Sequence, residues 1–235
     1  MYNSIDKFPI IFEEGPIARS YLQLFKSLNI EIPKIIYLLE NKFFFKKISC
    51  QLQFNKNLYY PLKFLKDYKI LSLIEQFEEY FNLENNFVYN MYANKDLSKY
   101  DIKLVNSSKI NSNTLFNEIS NMKEDYFLNT SKQIYKRIEN IKNIIHIHPG
   151  YLPKVRGADG SLVGVLKYNE IGVSSFIMSS EIDKGVLIDR ETLNFKNFKF
   201  NIKNYSTKDL YRIWYSFFDP LLRVFHLKKL IQNKK

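Results

Sequence analysis

The chain has 235 residues, of which 46% are hydrophobic and 16% aromatic, enough apolar material for one or two packed domains and too much for a disordered chain. The net charge is +11, from 35 Lys and Arg against 24 Asp and Glu, yet the lysines are scattered rather than clustered, so charge alone does not predict a nucleic-acid or membrane partner. A single cysteine, Cys50, leaves no intrachain disulfide to form, and its neighbours Ser49 and Gln51 offer no base to activate the thiol.

Met1 to Lys7 lacks the basic start and long apolar run of a signal peptide. No window reaches the roughly 18 apolar residues of a membrane-spanning helix, so the expected location is the cytoplasm. Short apolar runs then alternate with helix-period stretches, the pattern of an α/β chain. Phe8 to Phe12 predicts a first strand, and Pro16 suits the first position of a helix over Ile17 to Leu28. Lys34 to Leu39 predicts a second strand. No Gly-x-Gly-x-x-Gly follows the first, so a dinucleotide fingerprint is absent. The aromatic, basic stretch from Asn41 to Phe64 has no clear period. Helices are predicted over Ile70 to Phe81, Asn111 to Met122 and Ser131 to Ile138, and strands over Ile102 to Val105, Asp125 to Leu128 and Ile144 to His148. After a loop from Pro149 to Gly160 come a helix over Leu162 to Tyr168, a strand over Val173 to Met178 and its continuation at Lys184 to Ile188. Leu210 to Ile231 predicts a closing helix interrupted at Asp219-Pro220, because proline lacks the backbone donor. The expected organisation is a catalytic unit over 1–190 and a carboxy-terminal appendage over 191–235.

Two of the three histidines lie in Ile145-His146-Ile147-His148-Pro149-Gly150. Residues i and i+2 of a strand point to the same side. His146 and His148 are therefore expected to project together from the carboxyl end of a buried strand, where open α/β sheets place their ligands. A chance pair of core histidines is the bland alternative, and burying two imidazoles without function is costly.

The run His148-Pro149-Gly150-Tyr151-Leu152-Pro153-Lys154-Val155-Arg156-Gly157 resembles the signature of enzymes that use 10-formyltetrahydrofolate, Asn-x-His-Pro followed by Leu-Pro and Arg-Gly. Downstream, Gly172-Val173-Ser174-Ser175 and Glu181-Ile182-Asp183-Lys184-Gly185 resemble the same family's Gly-Val strand and Glu-x-Asp-x-Gly loop. The likeness spans roughly residues 125 to 190, with two motifs in the right order. It implies a Rossmann-like formyltransferase fold with a mostly parallel central sheet and a small carboxy-terminal helical/strand appendage. It also implies 10-formyltetrahydrofolate as co-substrate, and His148, Asp183 and residue 146 as the catalytic set.

In that family a primary amine attacks the formyl carbon and negative charge builds on the formyl oxygen. His148 is the expected general base, and Asp183 the carboxylate that orients it and stabilises its charged form. The bland reading of Asp183 is a turn carboxylate before Gly185. His146 stands where the family has Asn, whose amide donates to the formyl oxygen. Three readings follow: an imidazole N–H keeps that role, the role gains a pH dependence, or the chain is a divergent or inactive relative. Retention of His148 and Asp183 favours the first. The resemblance further implies that the pterin sits against Ser179, Glu181 and Ile182 and near Leu128, with Ile134 packing on it. Tyr151 and Arg156 are candidates for the other substrate, Arg156 through a phosphate, with a solvated or structural arginine as its plain alternative. Asp159 has no assigned role.

A His-x-His pair with a later Asp also fits zinc or iron, but the remaining imidazole, His226, is expected inside a packed helix, so no metal is predicted. Family members act on methionyl-tRNA, glycinamide ribonucleotide or nucleotide-linked amino sugars. The chain looks short for the first and lacks the glycine-rich start of the second. The expected substrate is an amino-sugar nucleotide of surface polysaccharide (lipopolysaccharide, O-antigen) synthesis, with no nucleic-acid or membrane partner and a homodimer by analogy. The alternatives are another amine substrate, or a non-catalytic protein that binds folate or a sugar nucleotide.

Overall fold

The computed structural model describes residues 4–39, 56–93, 97, 99–107, 109–134, 136, 142–195 and 197–233. Residues 41–55 of the unparsed aromatic stretch, with Cys50, lie outside the described residues. Ile10, Ile11 and Phe12 are buried on both sides in β1 (Ile10–Glu13), as expected of a strand covered on two faces. Helix α1 (Pro16–Ser27) begins at Pro16, buries Tyr21, Leu24 and Phe25, and closes where the Ile30 N–H donates to the Phe25 carbonyl at 2.9 Å. Strand β2 (Ile35–Leu38) follows. Helices α2 (Lys56–Phe64), α3 (Tyr68–Tyr80) and α4 (Phe87–Ala93) come next, with Asp67 capping α3 through the Lys69 N–H.

Strand β3 (Ile102–Val105) has the predicted ends. Helix α5 (Asn113–Ser120) is capped by Ser112 and leads to β4 (Tyr126–Asn129). The helix predicted over 131–138 does not form where the chain is described: residues 131–134 run as a loop. Asn129 Oδ1 accepts the Ser131 N–H, and Ser131 Oγ accepts the Gln133 N–H. Short polar side chains thus satisfy the backbone in turns and remove the incentive to coil. Strand β5 (Asn143–His148), helix α6 (Gly160–Tyr168), β6 (Glu170–Ile177) and β7 (Val186–Asn194) complete the centre. Helix α7 (Thr207–Ile213) then runs through a wide π turn (Trp214–Phe218) into α8 (Asp219–Gln232).

Pro220 does not interrupt this last run. It sits at the start of α8, just after the π turn. The Ser216 carbonyl, which an ordinary residue at 220 would have bonded, accepts from the Tyr92 hydroxyl at 3.3 Å.

The strands form one sheet in the order β3-β2-β1-β4-β5-β6-β7. β1 to β5 are parallel, while β6 and β7 are antiparallel to their neighbours. The order in which strands are added reverses between the parallel neighbours β1 and β4, and in open α/β sheets ligands collect at the carboxyl ends of such a pair. One face of the sheet packs Ile10, Phe12, Ile35, Ile145 and Ile147 against α1, α3 and α8. The other packs Ile11, Ile36, Phe127 and Ile144 against α5. The boundary drawn at residue 190 falls inside β7, and α8 contacts α1, β5 and β6.

Candidate functional site

His146 and His148 end β5 on the side opposite Ile145 and Ile147. Both line a cavity of about 440 Å³ at the carboxyl end of the parallel strands, together with Asp183, Asp219 and Arg223. His148 is fixed from several directions. Its Nε2 lies 3.0 Å from the Val155 carbonyl; a carbonyl only accepts, so Nε2 carries the hydrogen and Nδ1 is the basic nitrogen. Nδ1 faces Asp183 Oδ2 at 3.8 Å. A methyl group on Gly150 would lie 2.6 Å from His148 Nε2, so only glycine lets the loop close over this ring.

That loop is tied to β6. Ser174 Oγ accepts from the Leu152 N–H at 3.0 Å and donates to the Gly150 carbonyl at 2.8 Å. Asp183 adopts a left-handed backbone with φ of 52°. Its Oδ2 accepts the Gly157 N–H at 2.6 Å, so the two motif loops hold each other. Burial pushes the His148 imidazole below its ordinary value; Asp183 pulls it back up in part. The ring is therefore neutral near pH 7.

His146 is buried beside His148. Its Nδ1 lies 3.2 Å from Asn129 Nδ2 and its Nε2 lies 3.3 Å from an Arg223 Nη1. Burial, then Arg223, holds its titration well below the usual histidine range, so an imidazolium here is ruled out at neutral pH. Arg223 comes from α8. Its Nε donates to Asp219 Oδ2 at 2.9 Å and its Nη1 to the Ile147 carbonyl.

Of the other expected site residues, Ser179, Glu181, Ile182 and Ile134 line the cavity. Glu181 is exposed and paired with Lys184. Leu128 is fully buried in β4, behind the wall. Tyr151 and Arg156 fall outside the cavity wall: Tyr151 lies under the Arg190 guanidinium at 4.6 Å, and Arg156 is exposed. His226 is buried in α8, bonded to Glu191 and Ser175 at 2.8 and 3.1 Å, and is not part of the cavity wall.

Several site residues carried no motif. Asp159, with φ of 64°, receives hydrogen bonds from Tyr211 and Tyr215. Lys132 lies over the Tyr215 ring at 4.5 Å, and both line this cavity and a second one of about 350 Å³ beside the start of α1. Asp219, Arg223 and His226 are the polar side chains on the buried side of an otherwise apolar helix, at spacings of helical neighbours. That spacing was the available signal.

No protein-family model matches the chain, and no curated protein does. Solved structures to which it is similar include a phosphoribosylglycinamide formyltransferase from Streptococcus pneumoniae, 13% identical, covering 97% of this chain and 98% of that one, with a TM-score of 0.47. A sugar N-formyltransferase from Shewanella sp. is 16% identical over 96% of this chain and 70% of its own, with a TM-score of 0.48. A 4-N formyltransferase from Francisella tularensis is 16% identical over 97% of this chain and 68% of its own, again with a TM-score of 0.48.

Proposed function

We propose that the chain is an N-formyltransferase that moves a formyl group from 10-formyltetrahydrofolate to the primary amine of a nucleotide-linked amino sugar, as part of surface polysaccharide synthesis. The observation that carries the reading is His148 with its basic Nδ1 beside Asp183, in a cavity at the carboxyl end of the sheet. The folate supplies an activated formyl group, and the chain's own residues do the rest. His148 Nδ1 takes the proton of the attacking amine and returns it to the departing nitrogen, while Asp183 stabilises the charged ring in between. Ile134, Ser179 and Ile182 offer an apolar-edged wall for the pterin. The second cavity, which shares Lys132 and Tyr215 with the first, gives an elongated acceptor room beyond the reacting centre. The same proposal places the protein in the cytoplasm as a homodimer, with the carboxy-terminal stretch in the interface. Among the described residues, no helix is long and apolar enough to cross a membrane.

One observation favours a second reading, a non-catalytic protein that binds folate or a sugar nucleotide: both ring nitrogens of His146 are already engaged. Mass spectrometry of a panel of amino-sugar nucleotides incubated with 10-formyltetrahydrofolate separates the two. A product heavier by one carbonyl is expected. Transfer to glycinamide ribonucleotide but to no amino sugar refutes the substrate, and folate binding without transfer to any amine supports the second reading.

The pH profile has a definite sign. His148 is active when neutral and burial holds its titration below the usual histidine range, so the acid limb of kcat/KM is expected on the acid side of that range. Asp183→Asn removes the charge that raises the imidazole. Its acid limb is therefore expected at still lower pH, with a reduced plateau. A limb that moves upward would mean that Asp183 does not act on His148.

A further inference from the structure

In the reading just proposed, negative charge grows on the formyl oxygen, and residue 146 is the expected donor to it. His146 cannot supply that hydrogen bond as it is held. Arg223 only donates, so its contact at 3.3 Å requires a lone pair on His146 Nε2. Nδ1 faces the Asn129 amide nitrogen at 3.2 Å. The orientation of that amide is fixed by Ser131, whose N–H donates to Asn129 Oδ1 at 2.9 Å and whose carbonyl accepts from Nδ2 at 3.0 Å. A neutral ring carries one N–H; with Nε2 accepting from Arg223 that hydrogen sits on Nδ1, directed at the Asn129 amide nitrogen and not into the cavity.

Of the two cationic side chains in the same wall, Lys132 and Arg223, the one that touches His146 is the Arg223 guanidinium. Its side chain is 5% exposed and it lines the cavity with His146 and His148. Nε and Nη1 are occupied by Asp219, the Ile147 carbonyl and His146, while Nη2 has no hydrogen-bond partner among the described residues. Asp219 is completely buried and anchors the guanidinium through Oδ2; its Oδ1 has no partner. A buried ion pair oriented before the reaction, with one N–H edge unused, costs no reorganisation when charge develops.

We propose that Arg223, not His146, is the catalytic residue that hydrogen-bonds the developing oxyanion, with Asp219 as its positioning residue; this rests on the formyl-transfer reading. In the step, the amine nitrogen bonds to the formyl carbon, the bond from that carbon to the folate nitrogen breaks, and the amine proton passes through His148 Nδ1 to the leaving nitrogen. Arg223 keeps all of its protons throughout.

The test is steady-state formyl transfer by wild type, Arg223→Ala and Arg223→Gln, with tetrahydrofolate binding followed by fluorescence and folding by circular dichroism. Arg223→Gln retains donors for Asp219 and the Ile147 carbonyl and serves if the alanine variant fails to fold. The expected result is a fall in kcat of about 100- to 1,000-fold with folate binding retained, partly restored in Arg223→Ala by added guanidinium ion. Transfer by wild type with kcat of a folded Arg223→Gln within about 3-fold of it overturns the inference alone, as that variant lacks the charge. Loss of kcat in Arg223→Ala without guanidinium rescue, at intact folate binding, also overturns it. A wild type that formylates no amine overturns the formyl-transfer reading and this inference together.

Discussion

His148→Asn is expected to reduce formyl transfer by about 100- to 10,000-fold, the range for removing a general base, while leaving tetrahydrofolate binding within a few-fold of wild type. The argument is the ring's tautomer. With Nε2–H committed to Val155, the lone pair is on Nδ1, facing a carboxylate whose own oxygen is held by the Gly157 N–H. Asparagine offers no base that titrates near neutrality, and its amide nitrogen matches Nδ1 rather than Nε2, so the Val155 carbonyl loses its donor while the Ser174 and Asp183 bonds still hold the loop. Stopped-flow or steady-state kinetics with a saturating acceptor reads the loss in kcat. A variant with near wild-type kcat would remove His148 from proton transfer and leave it a role in holding the loop.

The largest structural effect is expected at Glu14, in the turn between β1 and α1, and Arg19, in the first turn of α1. Arg19 Nε and Nη2 meet the two Glu14 carboxylate oxygens at 2.8 and 2.7 Å, and the Tyr37 hydroxyl donates to Oε2 at 3.1 Å. The side chains are only 2% and 3% exposed. Burial and the adjacent carboxylate raise the Tyr37 phenol, so it remains a donor over the whole working pH range. Glu14→Ala removes the bidentate carboxylate from a buried guanidinium and is expected to cost about 3–5 kcal/mol. The double variant Glu14→Ala, Arg19→Met is expected to recover most of that loss, because an apolar chain of similar length fills the space without desolvated charge. Urea denaturation followed through Trp214 fluorescence measures both. A single variant less than about 1 kcal/mol below wild type would place the pair at the strength of an exposed one.

How much of this was legible depended on whether a signal was local. Strand β3 came out with both ends as predicted, and β5 with its two histidines, because β-branched runs between polar breaks leave little choice. The loop after β5 was legible through turn chemistry: Gly150, Pro153 and Gly157 have strict conformational requirements, with Gly157 at φ of 83°. The segment at 131–134 was misread as helix, since its polarity pattern tolerates a coil and only the Asn129 and Ser131 side-chain bonds decide otherwise. Arg223 and Asp219 were missed for a different reason. Their helical spacing marks them as neighbours of each other, but the Arg223 partner Ile147 lies far away in sequence, in a contact that only the docking of α8 on the sheet creates.

The π turn at Trp214–Phe218 therefore does more than carry the chain past Pro220. A helix advances about 100° per residue, and the extra residue that a π turn accommodates resets the angular phase of everything after it. The faces of α7 and α8 are out of step by that amount. The first half aims Tyr211 at Asp159, and the second aims Asp219 and Arg223 at the end of β5. Loss of one residue within the turn would restore an ordinary α-helix with the charged pair still facing the cavity, whereas loss of one residue between the turn and Arg223 would rotate the guanidinium by about 100° and out of it.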